Sequence, residues 1–314
     1  MSAKKQMSVS QMANFLILMS RAWVNFKLGR NKQVVRLFNQ ASKTPKYKQG
    51  VFAGYQAAAH DVFICTYAKS GTYWTMQIAL QIAHYGEAEF EHIHDLIPWP
   101  DIPIPIGVSL DDPAPRQNAP TGTRIVKTHL ESEYIPYSPH AKYVVVIRDP
   151  KDAFVSSYFF HKALTPFKGM ELSLDEFLEL FLENESPYDS WVTHAASYWP
   201  WRARENVVWL SFEAMKRDLR SAVLQIAQLM GVTLTEEQLQ KVLEKSSFQY
   251  MKALDHKFAP NIPMFAKNEN GPTLIRSGKS GNSHELLSTE QQALIDQFCQ
   301  SELRRLGSDM QFPW

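Results

Sequence analysis

Cysteine is scarce in this chain, with two thiols among 314 residues. Cys65 lies in a short apolar run and Cys299 in a segment of helical character, far apart in the sequence. Neither has the spacing of a metal-binding motif, so a disulfide framework or a cysteine-ligated metal is disfavoured. We expect two buried, reduced thiols.

Acidic residues are absent from the first 60 positions, which hold ten of the 33 Lys and Arg residues. The overall net charge of +1 therefore conceals a basic N-terminal segment on an acidic body. Residues 9–39 have helical spacing, with Phe15, Met19, Trp23 and Phe26 at three- and four-residue steps. A helix packed on the body, a basic amphipathic helix at a membrane surface and a cleaved targeting segment all fit this pattern.

Long apolar runs are also missing. No stretch of 18 apolar residues occurs, which disfavours a transmembrane helix. The apolar run at 14–19 is too short, and too soon followed by Arg21, to resemble a secretory signal. We predict a cytoplasmic protein with no nucleic-acid partner, and peripheral membrane contact through the basic N-terminal helix stays open.

From residue 61 onward, short apolar runs alternate with helical patterns. Four runs are typical of strands, namely "DVFICTY" (61–67), "RIVKTHL" (124–130), "KYVVVIRD" (142–149) and "NVVWLSF" (206–212). The third is continuously apolar, as in a strand buried on both faces. The chain is long enough for one large α/β domain or two smaller ones. The alternation favours a single α/β domain at 49–314, with a central, mostly parallel sheet flanked by helices, after a basic helical N-terminal extension at 1–48.

Residues 98–120 contain seven of the chain's 18 prolines. This density excludes a regular helix and predicts a long ordered loop. Such a loop is either a lid or binding loop, or an extended wrap over the surface.

Polar clusters follow three of the predicted strands, where open parallel sheets bind ligands. The first cluster is "AKSGT" at 68–72. Its small residues let backbone N–H groups converge on an anion, the helix that follows adds its positive N-terminus, and Lys69 adds a full charge. The Walker A spacing is absent. A phosphate cradle and an ordinary turn with a surface lysine both fit.

The second cluster is "KTH" at 127–129. Lys127 and His129 are two residues apart, so they share a side of the chain if the strand continues. A histidine beside a lysine suits a general base that the neighbouring cation keeps neutral. The alternative is a histidine with a structural role.

The third cluster is "VVVIRDPKDAFVSSY". Arg148 ends the strand, Pro150 fits the first turn of a helix, and Ser156 lies about two turns further on. The planar guanidinium suits bidentate contact with a phosphate. Pairing of Arg148 with Asp149 or Asp152 is the alternative.

A late cationic segment, "LIRSGKSGNSHE" (274–285), combines Arg276 with Gly278 and Gly281. A loop of this composition can close over an anionic ligand. A plain surface loop fits the same residues.

Taken in order, these motifs resemble the cytosolic sulfotransferase family, which transfers a sulfuryl group from 3′-phosphoadenosine 5′-phosphosulfate (PAPS) to a hydroxyl or amine. "TYAKSGTYW" is similar to the family's P-loop-like phosphosulfate loop, Y-P-K-S-G-T-T-W, and "RIVKTHL" resembles the strand with the catalytic histidine. "VVVIRDPKDAFVSSYFF" resembles the 3′-phosphate motif, and "SFEAMKRDL" and "SSFQYMK" are similar to further family segments. "IRSGKSGN" resembles the loop R-K-G-x-x-G-D. The resemblance covers about residues 50–305.

The resemblance implies that His129 is the catalytic base and that Lys69 and Lys127 stabilise charge, without a metal. Trp74 would stack on the adenine, and Arg148 with Ser156 would clamp the 3′-phosphate. The implied nucleotide-binding residues are Lys69, Ser70, Gly71, Thr72, Tyr73, Trp74, Arg148, Ser156, Phe212, Ser246, Phe248, Met251, Arg276, Ser277 and Gly278.

Several positions depart from the family pattern. Ala68 replaces a proline, Phe212 stands where a tyrosine is frequent, and "SGNSHE" lacks the usual Asp and Trp. The family's dimerisation motif is not recognisable in "HELLSTEQQAL", so the oligomeric state stays open.

The acceptor is the least determined partner. Trp99, Tyr158, Phe159 and His161 are candidates for a pocket that takes a small hydrophobic acceptor, and each fits the core equally well. The alternative functions are a nucleotide-dependent small-molecule kinase and a non-catalytic nucleotide-binding protein on the same fold.

Overall fold

The computed structural model describes residues 9–102, 106–186, 190–259, 266–267, 273–278, 280–281 and 283–312. The strands within these ranges are β1 (Asp61–Thr66), β2 (Arg124–Thr128), β3 (Lys142–Ile147), β4 (Leu164–Thr165), β5 (Val207–Ser211) and β6 (Ala266–Lys267). The helices are α1 (Val9–Lys27), α2 (Asn31–Ser42), α3 (Pro45–Val51), α4 (Thr72–Ala83), α5 (Ala114–Asn118), α6 (Pro150–Ala163), α7 (Leu174–Leu182), α8 (Trp191–Tyr198), α9 (Phe212–Arg217), α10 (Leu219–Met230), α11 (Glu236–Lys245), α12 (Phe248–Ala253) and α13 (Thr289–Arg305).

The main sheet has the strand order β2-β1-β3-β5, and every neighbouring pair is parallel. The predicted α/β fold with a central parallel sheet is therefore confirmed. The four predicted strands form this sheet, and β4 and β6 make a separate antiparallel pair.

The continuous apolar character of β3 reflects burial on both faces of the sheet. Val144 and Val146 belong to a core that includes side chains of α4, α10 and α11. Tyr143 and Val145 face the opposite way, into a core that contains Tyr198. Alternate side chains of one strand thus fill two separate cores, as the strand's period of two requires.

The N-terminal segment predicted as one helical pattern over 9–39 is two helices. The helix is interrupted near Gly29, which has a φ of 69°, a conformation that favours glycine. Phe26 of α1 stacks on Phe167 with ring centroids 5.1 Å apart. Arg36 of α2 pairs with Glu183 after α7 at 2.6 Å. Both helices are therefore packed on the body.

The polar stretch at 43–50, which spans the predicted boundary between the extension and the main domain, forms most of the helix α3. The Thr44 hydroxyl caps this helix by accepting a hydrogen bond from the Tyr47 N–H at 3.1 Å. Lys48 is buried and donates to both carboxylate oxygens of Glu131, at 2.7 and 2.9 Å. This ion pair joins α3 to the segment that follows β2.

The proline-rich interval is mostly loop, but it includes the short helix α5, so the expectation of no helix there was wrong. Pro115 is the second residue of α5, where the first turn needs no N–H donor from the ring nitrogen. Residues 103–105 of this interval lie outside the described part of the chain.

The buried Lys48–Glu131 pair predicts a large stability effect. Lys48→Met leaves the Glu131 carboxylate buried without its cation, so the free energy of unfolding should fall by about 3–5 kcal/mol. The double variant Lys48→Met/Glu131→Leu should recover most of that loss, because neither charge remains. Urea denaturation measures both.

A matched control is Arg220→Met, which removes one partner of the exposed ion pair between Arg220 and Glu236 and should change stability little. If Lys48→Met cost no more than this control, the buried pair would not hold α3 in place.

Candidate active site

The site lies at the carboxyl edge of the main sheet. β1 ends at Thr66, β2 at Thr128 and β3 at Ile147, and the strands are parallel neighbours. Lys69, His129 and Arg148 follow these three ends within three residues. The topology therefore brings the three predicted polar clusters to one edge.

The loop between β1 and α4 has an unusual backbone. Lys69 has a φ of 65° and Gly71 a φ of 95°, and a Cβ atom on Gly71 would lie 2.8 Å from the Phe212 ring. Glycine is required at 71 both for its conformation and for this close approach. The loop thus turns sharply into the N-terminus of α4, which carries a partial positive charge.

The hydroxyl groups of this loop divide into two kinds. Thr66 and Thr72 form a hydrogen bond with each other at 2.6 Å. The Ser70 hydroxyl is buried and has no hydrogen-bond partner among the described residues. A buried donor of this kind fits a loop that binds an anion.

Three cations converge around the loop. Arg148 donates from Nη1 to the Lys69 carbonyl at 3.0 Å. Burial, with the charges of Arg148 and Arg276, lowers the pKa of Lys69 to about 7, although Asp255 opposes the shift. Burial lowers the pKa of Arg148 as well. Positive charges held this close favour an anionic ligand.

Arg148 also has an acidic neighbour. Its Nη2 lies 3.8 Å from the Asp152 carboxylate, and its guanidinium lies 4.4 Å from the centroid of the Phe212 ring. Of the two roles left open by the sequence, pairing with Asp152 is present, and contact with a phosphate stays a prediction.

Aromatic side chains cover the two other cations. The Lys69 ammonium lies 4.2 Å from the centroid of Phe160, and the Arg276 guanidinium lies 4.4 Å from the centroid of Phe159. Phe159 and Phe160 are consecutive residues of α6, so this helix contacts both the segment that carries Arg276 and the β1–α4 loop that carries Lys69.

The predicted adenine side is built from α4, α9 and the start of α12. The Trp74 indole N–H donates to the Ser246 carbonyl at 2.8 Å, and its ring meets Phe212 edge to face at 5.4 Å. Met251 is buried in the adjoining core. Gly278 has a φ of 60°, and a Cβ there would lie 2.4 Å from the Phe248 ring.

His129 has a defined orientation. Its Nδ1 lies 2.7 Å from the Thr66 carbonyl oxygen, which can only accept, so Nδ1 carries the hydrogen and Nε2 has the lone pair. Its backbone N–H donates to Asp101 Oδ2 at 2.6 Å. Burial and the charge of Lys127 hold its pKa well below the ordinary value. These are the properties of a neutral base.

Lys127 is 1% exposed. Its ammonium lies 3.2 Å from the centroid of the Trp99 ring and donates to the Tyr73 hydroxyl at 3.1 Å. Burial lowers its pKa well below the ordinary value, and burial raises the pKa of Asp101 to about 6. Lys127 therefore points into the site from an apolar, aromatic environment.

The other predicted residues occupy different surroundings. Ser156 is on α6, partly buried. Tyr158 and His161 pack against Phe177 in a core beneath α6, with ring centroids at 5.6 Å in each case. Trp99 lies beside the catalytic candidates, edge to face with His129 at 5.6 Å.

Sequence reasoning missed Asp101 and His94. Asp101 lies in the proline-rich interval, 28 residues before His129, and His94 stacks on Trp99 with centroids 5.4 Å apart. The prolines at 98–120 left a binding loop and an extended surface wrap both open, and no local spacing connects Asp101 or His94 to β2.

Within the described residues, no group of three or more His, Cys, Asp or Glu side chains is arranged to hold a metal ion. None of the helices described is long and apolar enough to cross a membrane.

The chain matches a family model described as a sulfotransferase domain over residues 59–307. It is 32% identical over 262 residues to sulfotransferase 2A1 of Macaca fascicularis, covering 81% of this chain and 87% of that protein. It is 28% identical over 283 residues to sulfotransferase 1C2 of Rattus norvegicus, covering 87% and 92%. Among solved structures, a retinol dehydratase in a complex with retinol and PAP has a TM-score of 0.66 at 22% identity, covering 85% of this chain and 87% of that chain.

These matches confirm the resemblance seen in the motifs and do not favour a small-molecule kinase. The matched region contains β1 to β3 with their polar ends, and it begins after helices α1 to α3. The chain belongs to the sulfotransferase domain family.

Proposed function

We propose that this protein transfers a sulfuryl group from PAPS to a hydroxyl or amine of a small hydrophobic acceptor, with His129 as the base. The observation that carries this proposal is the convergence of Lys69, Arg148 and Arg276 beside a histidine whose Nε2 has its lone pair available. Cations at this edge suit an anionic donor, and a neutral imidazole suits proton removal.

The residues present fit such a donor. Ser70, Gly71 and Thr72 supply the loop and the first turn of α4, and Lys69 supplies charge, so we assign the 5′-phosphosulfate to them. We assign the 3′-phosphate to Arg148, Ser156 and the loop Arg276, Ser277, Gly278. Tyr73 is assigned to the 5′-phosphosulfate as well. The remaining assigned contacts, which border the nucleotide, are Trp74, Phe212, Ser246, Phe248 and Met251.

Support for the nucleotide assignment comes from two buried hydroxyls. Ser70 and Ser246 each have a buried Oγ with no hydrogen-bond partner among the residues described. Ser246 lies beside Trp74, since its carbonyl accepts from the Trp74 indole N–H, and Ser70 belongs to the loop that leads into the same helix, α4. Buried polar atoms are ordinarily paired, so these two mark where a polar ligand contacts the protein.

The chain's own residues would divide the chemistry between them. When bound, PAPS supplies an activated sulfuryl group. His129 Nε2 takes the acceptor's proton, and the Thr66 carbonyl holds the ring in the required tautomer. Lys69 and Lys127 place positive charge where negative charge develops, in a site from which burial excludes water. We propose no metal in this chemistry.

The aromatic residues around the site favour a hydrophobic acceptor. Trp99 lies against His129, and Phe159 and Phe160 cover the cations of the donor site. The retinol dehydratase structure of similar fold is a complex with retinol and PAP, so a protein of this fold binds an apolar alcohol together with the nucleotide. Tyr158 and His161, whose rings pack against Phe177, remain proposed pocket residues.

We also propose that α1 makes peripheral contact with an anionic membrane surface from the cytoplasmic side. The inward side of α1 packs through Leu18, Ala22 and Phe26. Its outward side is apolar too, with five side chains that are each 50–62% exposed: Met12, Leu16, Ile17, Trp23 and Val24. An exposed apolar patch of this kind marks an interaction surface.

The charge beside this face favours lipid headgroups over a second copy of the chain. No acidic residue occurs in the first 60 positions. An open pocket of about 550 Å³ next to α1 is lined by four basic residues, Arg21, Arg30, Lys32 and Arg36, and by Glu176. Lys32 and Arg36 pair with Glu179 and Glu183, so the charge that favours lipid headgroups comes from Arg21 and Arg30. Basic residues rimming an apolar helix face are the pattern of a helix lying in an anionic interface.

Donor binding should depend on pH through Lys69. Its pKa of about 7 in the free protein would rise when it contacts a phosphate. Above pH 7 binding must therefore take up a proton. The affinity for the product nucleotide 3′-phosphoadenosine 5′-phosphate (PAP) should fall as pH rises from 7 to 9, by up to about tenfold per unit.

Lys69→Arg keeps its charge throughout this range, so its affinity should vary less with pH. Isothermal titration calorimetry with PAP measures both proteins. Equal slopes for the two would exclude Lys69 as the titrating contact.

His129→Ala should lower kcat by about 10²–10⁴-fold, because the general base is removed. The affinity for PAP should stay unchanged, since His129 is assigned to the acceptor side. Transfer from ³⁵S-labelled PAPS to 2-naphthol, retinol and cholesterol measures turnover, and exposed His140→Ala is the control. Full activity of His129→Ala would refute the assignment. Absence of labelling by the unaltered protein on every acceptor would favour the non-catalytic alternative.

The double variant Leu16→Glu/Val24→Glu should weaken binding to vesicles of phosphatidylcholine with 30% phosphatidylserine by at least about tenfold, since it buries charge in place of apolar surface. Co-sedimentation measures the partition, and Leu224→Glu, at an exposed leucine of α10, is the control. Unchanged partition, or loss of a dimer in place of loss of vesicle binding, would contradict a membrane partner.

A further inference from the structure

A chain of hydrogen bonds runs from the protein interior to Lys127. His94 Nδ1 lies 2.9 Å from the Ile97 carbonyl oxygen, and His94 Nε2 lies 3.1 Å from the Tyr73 hydroxyl. That hydroxyl lies 3.1 Å from Lys127 Nζ. His94 is fully buried. Three elements thus meet: the N-terminus of α4, the short helical turn Ile93–Asp95 and the end of β2.

The direction of each hydrogen bond is determined. The Ile97 carbonyl can only accept, so His94 carries its hydrogen on Nδ1 and accepts at Nε2. Tyr73 must then donate its one hydrogen to His94, which leaves the hydroxyl oxygen to accept from Lys127. Burial and the charge of Lys127 hold the pKa of His94 well below its ordinary value, and burial raises that of Tyr73. Both are therefore neutral at pH 7.

Aromatic faces restrict the same ammonium group. Lys127 Nζ lies 3.2 Å from the centroid of Trp99 and 4.3 Å from that of Tyr73. His94 stacks on Trp99, with an interplanar angle of 22°, and meets Tyr73 edge to face at 5.7 Å. His94 therefore supports both rings that contact Lys127.

A lysine side chain needs such restraint if its ammonium group is to stay in one position beside a reacting group. Its four-carbon stem is flexible and its ammonium has no directional fork. The other charged groups that face Lys127 are Asp101, which favours its charged form, and Lys69, which disfavours it. The Tyr73 hydroxyl is the polar atom within hydrogen-bond distance of Nζ among the residues described.

We propose that Tyr73 and His94 are positioning residues that hold Lys127 Nζ in the orientation required for sulfuryl transfer. This inference rests on the proposed role of Lys127 at the reacting group, and it gives Tyr73 a function beyond contact with the donor. The family loop motif Y-P-K-S-G-T-T-W has threonine where this chain has Tyr73. A threonine hydroxyl, on a much shorter side chain, could not replace the contact made from the end of a phenol ring.

Tyr73→Phe removes the oxygen that accepts from Lys127 and keeps the ring. We expect kcat to fall about tenfold or more, the size of a lost hydrogen bond to a charged group, while the dissociation constant for PAP changes less than about threefold. His94→Leu should lower kcat in the same way and leave PAP binding intact, because the Tyr73 hydroxyl loses His94 Nε2 as its hydrogen-bond acceptor. The variant with both changes should be no slower than the slower single variant, since the chain acts as one unit.

His94→Gln provides the discriminating measurement. A glutamine amide oxygen can accept from Tyr73, so kcat should recover relative to His94→Leu. Tyr137→Phe, at an exposed tyrosine, is the control for phenol removal. The assay is ³⁵S transfer from PAPS to the best acceptor among 2-naphthol, retinol and cholesterol, with PAP binding measured on the same preparations.

Three outcomes would overturn the inference: wild-type kcat in Tyr73→Phe and His94→Leu, a parallel loss of PAP affinity and kcat, or no recovery in His94→Gln. Lys127→Met separates this inference from the proposed function. If Lys127→Met is inactive while Tyr73→Phe and His94→Leu are fully active, only the positioning role fails. If Lys127→Met keeps full activity, the proposed role of Lys127 fails.

Discussion

Repulsion between cations at one edge of a parallel sheet is the constraint on which the rest of the site depends. Lys69, Arg148 and Arg276 lie close enough for their charges to disfavour one another, and Lys127 and Lys69 do so as well. Burial is the larger cause of the lowered pKa of Lys69, Arg148 and Lys127. The charge of an anionic ligand offsets both effects, so the folded protein is prepared for the donor before it binds.

The arrangement follows from topology, because the order β2-β1-β3 puts the ends of three strands side by side. Aromatic rings then restrain the charged groups: Phe160 at Lys69, Phe212 at Arg148 and Trp99 at Lys127. A ring face attracts a cation without neutralising it. The rings therefore leave positive potential for the ligand, although Asp152 near Arg148 and Asp101 near Lys127 reduce it.

Much of this could be predicted from the sequence, because the signals are local. The apolar run ending at Ile147 showed a strand buried on both faces, and the strand-end positions of Lys69, His129 and Arg148 followed from the alternation of strands and helices. The resemblance to the family then gave each of these residues an expected role in binding or catalysis. Each of these inferences needed only neighbours within about ten positions.

What the sequence did not reveal depends on contacts between distant segments. Asp101 reaches the His129 backbone from 28 residues away, and His94 meets Tyr73 across 21 residues. The buried partner of Lys48 was missed for the same reason, whereas the break between α1 and α2 was missed although its signal, Gly29, is local. Ala68, in place of the family's proline, has no explanation in the structure.

A crystal structure of the protein with PAP would test most sharply whether the cations at the carboxyl edge form one nucleotide site. We expect the 5′-phosphate within hydrogen-bond distance of Lys69 and of the backbone N–H groups at 70–72, and the 3′-phosphate within that distance of Arg148. A PAP molecule bound with neither phosphate contacting Lys69 or Arg148 would contradict it.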